Sequence, residues 1–470
     1  MACDRSAFKA YDIRGTYPDQ LDEAGAYAIG RAYVEHLGAD RLAVGRDMRT
    51  MAPSVATALI RGMTDAGAQV EDIGLVGTEV LYHAVASRGL DGGIMVTASH
   101  NPAHYIGMKC VKRGAQPVGE ESGLQDVRDR AVAFASAGTP QGPVEGVEPG
   151  SVTQVDVLED WRALVSTFVD ASKVRPLTVV VDGGNGIGPT IALPLLRELP
   201  ITLHAYNDEP DGTFPNHEPN PLLEENRRFI IEKVREHGAD IGIAFDGDAD
   251  RCFFVDDRGA FVPGDFVTAV LAELTLRREP GATVLYDVRA SRAVADTIEA
   301  AGGTAIASRV GHAFIKQRLK LEDAAFAGEI SGHYYFRGYH GVDTGVIPAL
   351  MMIQLVSESG GGLSDLVAGL RERYHISGEI NSTVTDVPMK LQQLKETYAD
   401  ARITHVDGVS VDYDDWHFNV RPSNTEPLLR LNLESIVSEA DMERRRDEVL
   451  ALIRSEDSAR IGHTATAGAH

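Results

Sequence analysis

The chain has 470 residues, too many for a single hydrophobic core, and several domains are expected. Hydrophobic residues make up 43% and charged residues 24%, a composition that excludes intrinsic disorder, collagen and a membrane bundle. The formal net charge of −24 repels polyanions, so we expect neither nucleic acid nor a membrane as a partner. An anionic substrate would therefore need a local cluster of basic side chains.

The cysteine content and the first residues bear on the cellular compartment. The three cysteines are too few and too scattered for a disulfide framework or a metal cluster, and they fit a reducing environment. Residues 1–8 lack the apolar run of a signal peptide. We therefore expect a cytoplasmic protein, and the sequence makes no prediction about its oligomeric state.

Apolar, β-branched runs alternate with amphipathic segments along most of the chain, the pattern of an α/β protein. Strands are predicted at 178–181, 241–245 and 283–286, and a helix before the second strand is expected to end at Gly238. Asp246 then begins a turn at the carboxyl end of a strand, where ligands bind in open α/β sheets. Turn-rich segments predict domains 1–150, 151–255, 256–372 and 373–456, followed by a tail at 457–470.

The first segment with candidate chemistry is 93–102, where an apolar strand leads into Thr-Ala-Ser-His-Asn-Pro. Its turn would expose the hydroxyl of Ser99, with His100 beside it and Lys109 on the next apolar stretch. Neighbouring Ser and His side chains rarely face each other, so this pair does not make a hydrolase dyad. The segment also lacks the Gly-x-Ser-x-Gly elbow, and taken alone Ser99 is more often a turn serine than a nucleophile.

The next such segment reads Asp-Gly-Asp-Ala-Asp-Arg, with carboxylates at Asp246, Asp248 and Asp250. Three carboxylates at this spacing repel one another unless a cation neutralises them, and oxygen ligands suit Mg²⁺ or Ca²⁺. An EF-hand is excluded because Arg251 stands where that loop needs glycine, and a solvated acidic turn is the simpler alternative. Three acidic ligands leave positions open for a phosphoryl oxygen, and a serine near such a triad favours phosphoryl transfer.

Two later segments offer polar groups to a substrate. Segment 328–333 reads Gly-Glu-Ile-Ser-Gly-His after an apolar strand, and its side chains suit the hydroxyls of a polyol. Segment 421–427 reads Arg-Pro-Ser-Asn-Thr-Glu-Pro, which places a guanidinium, hydroxyls and an amide in a compact anion cradle. Each segment, taken alone, could also be an ordinary surface turn.

These segments, from Phe-Lys-Ala-Tyr-Asp-Ile-Arg-Gly at 8–15 to 421–427, together resemble the α-D-phosphohexomutase superfamily. The resemblance covers nearly the whole chain and is strongest to the bacterial phosphomannomutase/phosphoglucomutase branch. It implies an α/β fold with three similar mixed-sheet domains and a smaller α+β C-terminal domain around a central cleft. It also implies Mg²⁺ as a cofactor, a hexose 1,6-bisphosphate as activator and intermediate, and a small-molecule sugar phosphate as the partner.

The resemblance implies a role for each candidate residue. Ser99 would be the phosphoserine and a further metal ligand, while Tyr11, Arg14 and Arg251 would line the reacting end. Arg289 stands where the family pattern is expected to have lysine, so a sugar contact would differ. Mg²⁺ would be bound by Asp246, Asp248 and Asp250, and the transferred proton and phosphate would be contacted by His100, Lys109 and His312. The sugar would be recognised by Glu329, Ser331 and His333. The second phosphate would be bound by Arg421, Ser423, Asn424 and Thr425. The general acid or base would be Lys109, His312 or His333.

The implied reaction interconverts mannose 6-phosphate and mannose 1-phosphate, and also the glucose phosphates, through a bisphosphate that turns around between half-reactions. A phosphoglucosamine mutase is the main alternative, and its phosphate loop usually reads Ser-Gly-Thr where this chain has Ser-Asn-Thr at 423–425. A Mg²⁺-dependent sugar phosphatase would use the same serine and triad but release phosphate to water. A non-catalytic sensor would not need all three aspartates beside an intact serine segment.

Overall fold

A computed structural model describes residues 3–138, 141–423 and 428–455. The chain divides into two compact units, the first formed by Met1–Asp287, Val294–Ile306 and Gly311–Ala368, and the second by Val288–Ala293, Ala307–Val310 and Gly369–His470. Three α/β domains with one sheet each are followed by a smaller α+β domain, so the predicted four-domain α/β fold is confirmed. The predicted tail at 457–470 lies outside the described residues.

The first domain is a mixed sheet flanked by helices. Its elements are β1 (Ile13–Thr16), α1 (Glu23–Leu37), β2 (Arg41–Arg46), α2 (Ala52–Asp65), β3 (Gln69–Leu75), α3 (Thr78–Ser87), β4 (Gly92–Val96), β5 (Tyr105–Lys112), β6 (Gln116–Pro117), α4 (Leu124–Ser136) and β7 (Val152–Gln154). The order is β1-β5-β4-β2-β3-β7, with β6 beside β5. Strand β4 is buried throughout because it lies between β5, which is antiparallel to it, and β2, which is parallel. Since β7 pairs with β3, this sheet continues past residue 150, where the first boundary was predicted.

The second domain has the sheet order β12-β11-β10-β8-β9. Its elements are α5 (Leu158–Ser166), β8 (Thr178–Asp182), α6 (Gly188–Leu196), β9 (Thr202–Tyr206), α7 (Glu224–His237), β10 (Ile241–Phe245), β11 (Cys252–Asp256) and β12 (Phe261–Val262). Helix α7 ends at Gly238, whose φ of 56° confirms the predicted C-cap. The turn at 256–259 closes a hairpin between β11 and β12, so this sheet continues past the second predicted boundary at 255.

The third domain has the sheet order β14-β13-β15-β16-β17. Its elements are α8 (Gly264–Arg278), β13 (Thr283–Asp287), α9 (Arg292–Ala300), β14 (Thr304–Ser308), α10 (His312–Leu321), β15 (Phe326–Gly328), β16 (Tyr334–Phe336), β17 (Val342–Asp343), α11 (Val346–Ser359), α12 (Leu363–Leu366) and α13 (Ala368–Arg373). The most apolar stretch of the sequence forms the buried helix α11. Within the described ranges, no helix has both the length and the apolar character needed to cross a bilayer.

The C-terminal domain is an antiparallel sheet with the order β18-β22-β21-β20-β19. Its elements are β18 (His375–Thr383), α14 (Val387–Thr397), β19 (Arg402–Thr404), β20 (Val409–Asp412), β21 (Trp416–Pro422), β22 (Leu428–Ser435) and α15 (Glu439–Arg454). Alternate residues of β21, among them Trp416, Phe418 and Val420, enter its core. The intervening positions, including Arg421, therefore occupy the opposite face of the sheet.

Two loops of the first unit approach each other where buried strands end. Ser99 follows β4, and Gly247 follows β10. A Cβ atom on Gly247 would lie 2.4 Å from the carbonyl oxygen of Ser99, and one on Gly345 would lie 2.5 Å from that of Ala249. Side chains at either glycine would force these backbones apart, so glycine is required for the close approach.

Candidate active site

Ser99 occupies a strained turn directly after β4. Its φ of 51° lies in the left-handed region, which costs a residue with a Cβ atom about 1 kcal/mol. The turn is held locally because the Ser99 N–H donates to the hydroxyl oxygen of Thr97 at 2.9 Å. The Ser99 hydroxyl is buried, so the predicted exposure is wrong, and it donates to Oδ2 of Asp246 at 2.7 Å. It also lies 3.2 Å from Nδ1 of His100, so these neighbouring side chains face each other, contrary to expectation. A serine predicted from one loop thus contacts a carboxylate predicted from another.

The acidic triad at the end of β10 forms a compact group of ligands. Asp246, Asp248 and Asp250 are all buried, and each offers a carboxylate oxygen within 4.8 Å of the other two. Among the described residues, Oδ1 of Asp248 and Oδ1 of Asp250 accept no hydrogen bond. Buried carboxylate oxygens without donors fit a hard divalent cation such as Mg²⁺. The triad can therefore hold a metal ion.

Basic side chains balance the charge of the triad. Nζ of Lys109 donates to Oδ2 of Asp248 at 2.7 Å and also to Asp250. Burial disfavours the ammonium, but the carboxylates of Asp248 and Asp250 hold the pKa of Lys109 above its ordinary value. Burial, with repulsion from Asp250 and Asp248, raises the pKa of Asp246 well above its usual range. Nε of Arg251 lies 3.5 Å from Oδ2 of Asp246.

Two threonines that the sequence did not single out orient Asp248. The hydroxyl of Thr78, the first residue of α3, donates to Oδ2 of Asp248 at 2.6 Å, and that of Thr97 donates at 3.2 Å. The N–H of Thr78 also donates to the carbonyl oxygen of Asp248. Both threonines belong to the first domain while Asp248 belongs to the second, so no local pattern predicts these contacts, although Thr97 begins the segment that carries Ser99.

The Ser99 turn lies between two guanidinium groups. Nη2 of Arg251 is 2.9 Å from Nδ1 of His100, and Nη1 of Arg14 donates to the side chain of Asn101 at 2.6 Å. Burial, together with the charge of Arg251, lowers the pKa of His100 well below its ordinary value. His100 is therefore a neutral acceptor at neutral pH. The predicted residues Arg14, His100 and Arg251 thus all lie beside Ser99 and the triad.

The predicted histidines and the sugar-recognition segment lie at the same site. Nε2 of His333 is 3.7 Å from Asp250, and its Nδ1 is 2.9 Å from the Ser331 hydroxyl. The ring of His312, at the start of α10, is 6.1 Å from that of His333 and 5.6 Å from that of Tyr11. Burial lowers the pKa of both histidines well below the ordinary value.

Glu329 is hydrogen-bonded to two neighbouring segments of the third domain. Its Oε1 accepts from the N–H of Gly311 at 3.1 Å, and its Oε2 accepts from the hydroxyl of Tyr335 at 2.5 Å. These bonds fix the carboxylate beside the segment that begins α10. The third domain thereby supplies His312, Glu329, Ser331 and His333 to the first unit's site.

The second unit carries a separate cationic cluster. Glu379 on β18 accepts from Arg289 at 3.4 Å, from Arg421 at 3.2 Å and from Arg430 at 3.1 Å. Arg421 and Arg430 are directly opposite each other on β21 and β22, a pairing that is unfavourable unless an anion lies between like charges. The three guanidinium groups that share Glu379 form a set of donors that suits a phosphate.

The predicted phosphate loop is described only in part. Ser423 follows β21 and its N–H donates to the carbonyl oxygen of Leu428 at 2.9 Å. Asn424 and Thr425 lie outside the described residues. Arg430 and Glu379 were not predicted, because only the register between strands places them beside Arg421.

The predicted residues thus fall into two groups. The first unit brings together Tyr11, Arg14, Ser99, His100, Lys109, Asp246, Asp248, Asp250, Arg251, His312, Glu329, Ser331 and His333. The second unit contains Arg289, Arg421 and Ser423.

Comparison with known proteins identifies all four domains. The phosphoglucomutase/phosphomannomutase family models match in chain order: the α/β/α domain I at residues 5–131, domain II at 159–259, domain III at 263–374 and the C-terminal domain at 379–452. These ranges cover most of the chain and contain each predicted site segment.

Relatives match over nearly the full length. A phosphomannomutase of Escherichia coli is 42% identical over 457 residues, 96% of this chain and 99% of the relative. Phosphohexose mutases of Xanthomonas campestris are 42% identical over 95% of this chain and 99% of the relative. The crystal structure of a phosphoglucomutase/phosphomannomutase family protein from Burkholderia thailandensis is 33% identical, covers 96% of this chain and 98% of its own, and has a TM-score of 0.85. The chain therefore belongs to the phosphoglucomutase/phosphomannomutase family of the α-D-phosphohexomutase superfamily, and it is an isomerase.

Proposed function

We propose that this phosphohexomutase interconverts mannose 6-phosphate and mannose 1-phosphate, and also the glucose phosphates, through a phosphoserine at Ser99 and a hexose 1,6-bisphosphate. The observation that carries the proposal is the contact between the Ser99 hydroxyl and Asp246 inside a buried triad of carboxylates. A serine hydroxyl next to three metal-binding carboxylates is arranged for phosphoryl transfer. The names of the relatives, phosphomannomutase among them, support mannose phosphate as a substrate.

The charge balance supports a phosphoserine at this position. The three carboxylates are partly offset by Lys109 and Arg251, while Arg14, which is paired with Asp12 at 2.7 Å, lies in the same group of charges. When bound, Mg²⁺ supplies positive charge at a phosphoryl oxygen. A seryl phosphate carries a charge of roughly −2, which matches that addition.

We assign the second phosphate of the substrate to the cationic cluster of the second unit. Arg421 and Arg430 present guanidinium forks that suit bidentate binding of a phosphate, and Glu379 holds them side by side. Arg289 joins the same carboxylate, so we propose that it contributes to phosphate binding as well as to sugar contact.

Lys109 donates to Asp248 and Asp250, which hold its pKa above the ordinary value, so its ammonium keeps its protons and the two histidines are the better candidates for proton transfer. We propose that His312 or His333 exchanges the proton of the sugar hydroxyl, because both rings are buried beside the triad. We also propose a cytoplasmic location, since the three cysteines are free thiols.

The test is an assay of the purified enzyme with Mg²⁺ and a catalytic amount of glucose 1,6-bisphosphate. Mannose 1-phosphate, glucose 1-phosphate and glucosamine 1-phosphate are compared, and both 6-phosphate product and free phosphate are measured. We expect mannose and glucose phosphates to isomerise and Ser99→Ala to remove the activity, while the exposed control Ser54→Ala retains it. A clear excess on glucosamine phosphate would make the enzyme a phosphoglucosamine mutase, and phosphate release faster than isomerisation would make it a phosphatase.

A further inference from the structure

A buried guanidinium group holds the turn that carries Ser99. Arg49 lies between β2 and α2, and its side chain is inaccessible to solvent. Nη1 donates to the carbonyl oxygens of Pro102 at 2.8 Å and Tyr105 at 3.0 Å. Nη2 donates to those of Ser99 at 2.8 Å and Asn101 at 2.7 Å. One side chain therefore binds four carbonyl groups of the segment 99–105.

These four bonds hold a backbone that would otherwise relax. Ser99 adopts a left-handed φ of 51°, a conformation that needs support from its surroundings. Arg49 supplies hydrogen bonds to the carbonyl oxygens of Ser99 and Asn101, and buried carbonyls without donors are costly. A lysine cannot replace this arrangement, because its single ammonium lacks the planar fork that reaches carbonyls on two sides.

Asp47 completes the support. Its carboxylate is fully buried 3.4 Å from Nε of Arg49, and its Oδ1 accepts from the Arg49 N–H at 3.0 Å. The N–H of Asp47 donates to the carbonyl oxygen of Val96, the last residue of β4. The pair is thus attached to the strand that precedes Ser99 and to the turn that contains it.

The second domain covers this pair from outside. A Cβ atom on Gly212 would lie 2.6 Å from Cα of Arg49, and the ring of Phe214 lies 5.3 Å from the guanidinium carbon. Arg49 is therefore shielded from solvent and directs all its terminal donors to the turn. Its hydrogen bonds go to the turn and its ion pair to Asp47, and its charge also acts on Asp248 at longer range. Arg49→Lys keeps this charge, so a loss in that variant reports on the position of Ser99.

We propose, on the premise that Ser99 carries the phosphoryl group as in the proposed function, that Arg49 and Asp47 are positioning residues for the phosphoserine. They set the Ser99 hydroxyl at the distance from Asp246 that phosphoryl transfer requires. Displacement of a reacting group by about 1 Å can reduce the rate about 100-fold, without loss of substrate binding. The pair therefore acts on turnover and on the phosphorylation of Ser99, and leaves the binding of sugar phosphate intact.

The experiment compares Arg49→Lys, Arg49→Met and Asp47→Asn with a structural control. Leu59→Ala removes a fully buried side chain on α2 from the core of the same domain. For each variant, kcat and KM are measured with mannose 1-phosphate. The rate at which glucose 1,6-bisphosphate phosphorylates Ser99 is followed by intact mass, and the melting temperature is recorded.

We expect Arg49→Met to lower kcat and the phosphorylation rate about 100-fold. Arg49→Lys and Asp47→Asn should lower both about tenfold, with KM within threefold of the wild type. Leu59→Ala should lower the melting temperature but keep kcat within threefold. If Arg49→Met does not fold, Arg49→Lys and Asp47→Asn carry the test.

Two results would overturn the proposal. One is normal kcat and normal Ser99 phosphorylation in Arg49→Lys and Asp47→Asn. The other is a loss of kcat in Leu59→Ala equal to that in the Arg49 variants at the same melting temperature. If the wild-type enzyme gained no phosphate at Ser99, both the proposed function and this proposal would be wrong. If the wild type is phosphorylated and the variants behave normally, only this proposal is wrong.

Discussion

Glu79 is a buried carboxyl group whose ionisation should make the stability of the first unit depend on pH. It is the second residue of α3 and its side chain is fully buried. The carboxyl group lies beside the Thr344 hydroxyl and the N–H groups of Val346 and Gly345 at the start of α11, without a hydrogen bond of good geometry to either oxygen. Burial raises the pKa of Glu79 from 4.5 to about 8.

This pKa makes the stability of the wild type depend on pH. Below pH 4.5 the carboxyl group is protonated in both the folded and the unfolded chain. As the pH rises to about 8 the unfolded chain releases this proton first, so stability is lost. The difference of roughly 3.5 in pKa, at about 1.4 kcal/mol for each pH unit, amounts to about 5 kcal/mol.

The perturbation is Glu79→Gln, which keeps the shape but cannot ionise. At each pH, the free energy of unfolding of the wild type is subtracted from that of the variant. This difference should grow by about 4 kcal/mol as the pH rises from 5 to 8. The indole N–H of Trp161 donates to the Tyr339 hydroxyl, which donates to the carbonyl oxygen of Glu79. Urea unfolding in a Trp416→Phe background would therefore report on this region through Trp161 fluorescence.

The control is Glu159→Gln, which removes a carboxylate from the exposed first turn of α5. If the difference between Glu79→Gln and the wild type were the same at every pH, the reasoning would be refuted. The carboxylate would then be ionised in the folded enzyme and stabilised by the start of α11.

Three further predictions concern the proposed reaction. Ser99→Ala should lower turnover at least about 1,000-fold, with sugar phosphate affinity by calorimetry within a few-fold, and near-normal activity would show that the nucleophile is wrong. Asp248→Asn should raise the Mg²⁺ concentration for half-maximal activity and lower turnover, and an unchanged metal titration would remove Asp248 from the site. Arg421→Ala should raise KM about 10- to 100-fold, equivalent to about 1.4–2.8 kcal/mol, with a smaller change in kcat. A fall in kcat alone would contradict its role in binding.

Strands and the loops after them could be predicted because local pattern decides them. The apolar run 241–245 forms β10 at those bounds and leads into the acidic triad, and Gly238 ends α7. The approach of Ser99 to Asp246 followed from the family resemblance, since the two positions are 147 residues apart. Sequence pattern alone could name both groups but could not bring them together.

The site residues that the sequence did not predict contact residues of another domain, loop or strand. Thr78 reaches Asp248 from another domain, and Arg49 reaches the Ser99 turn from the loop before α2. Arg430 meets Arg421 only through the register of β21 and β22. In each case tertiary packing brings the two residues together, and such a contact produces no periodic pattern of residue types along the sequence. The turn-forming residues 256–259 favour a domain boundary, but the structure places them in a hairpin between two strands of one sheet.

The charges around the acidic triad differ from those around Glu379, and this difference suits the triad to a metal ion and the Glu379 cluster to a phosphate. Lys109 and Arg251 face the three carboxylates of the triad, and Arg14 is paired with Asp12, so this cluster offers no excess of positive charge to a free anion. The cluster around Glu379 has three guanidinium groups for one carboxylate. We therefore propose that the positive site for the anionic substrate lies in the second unit, and that a metal ion held by the triad would help the first unit to accept a phosphoryl group.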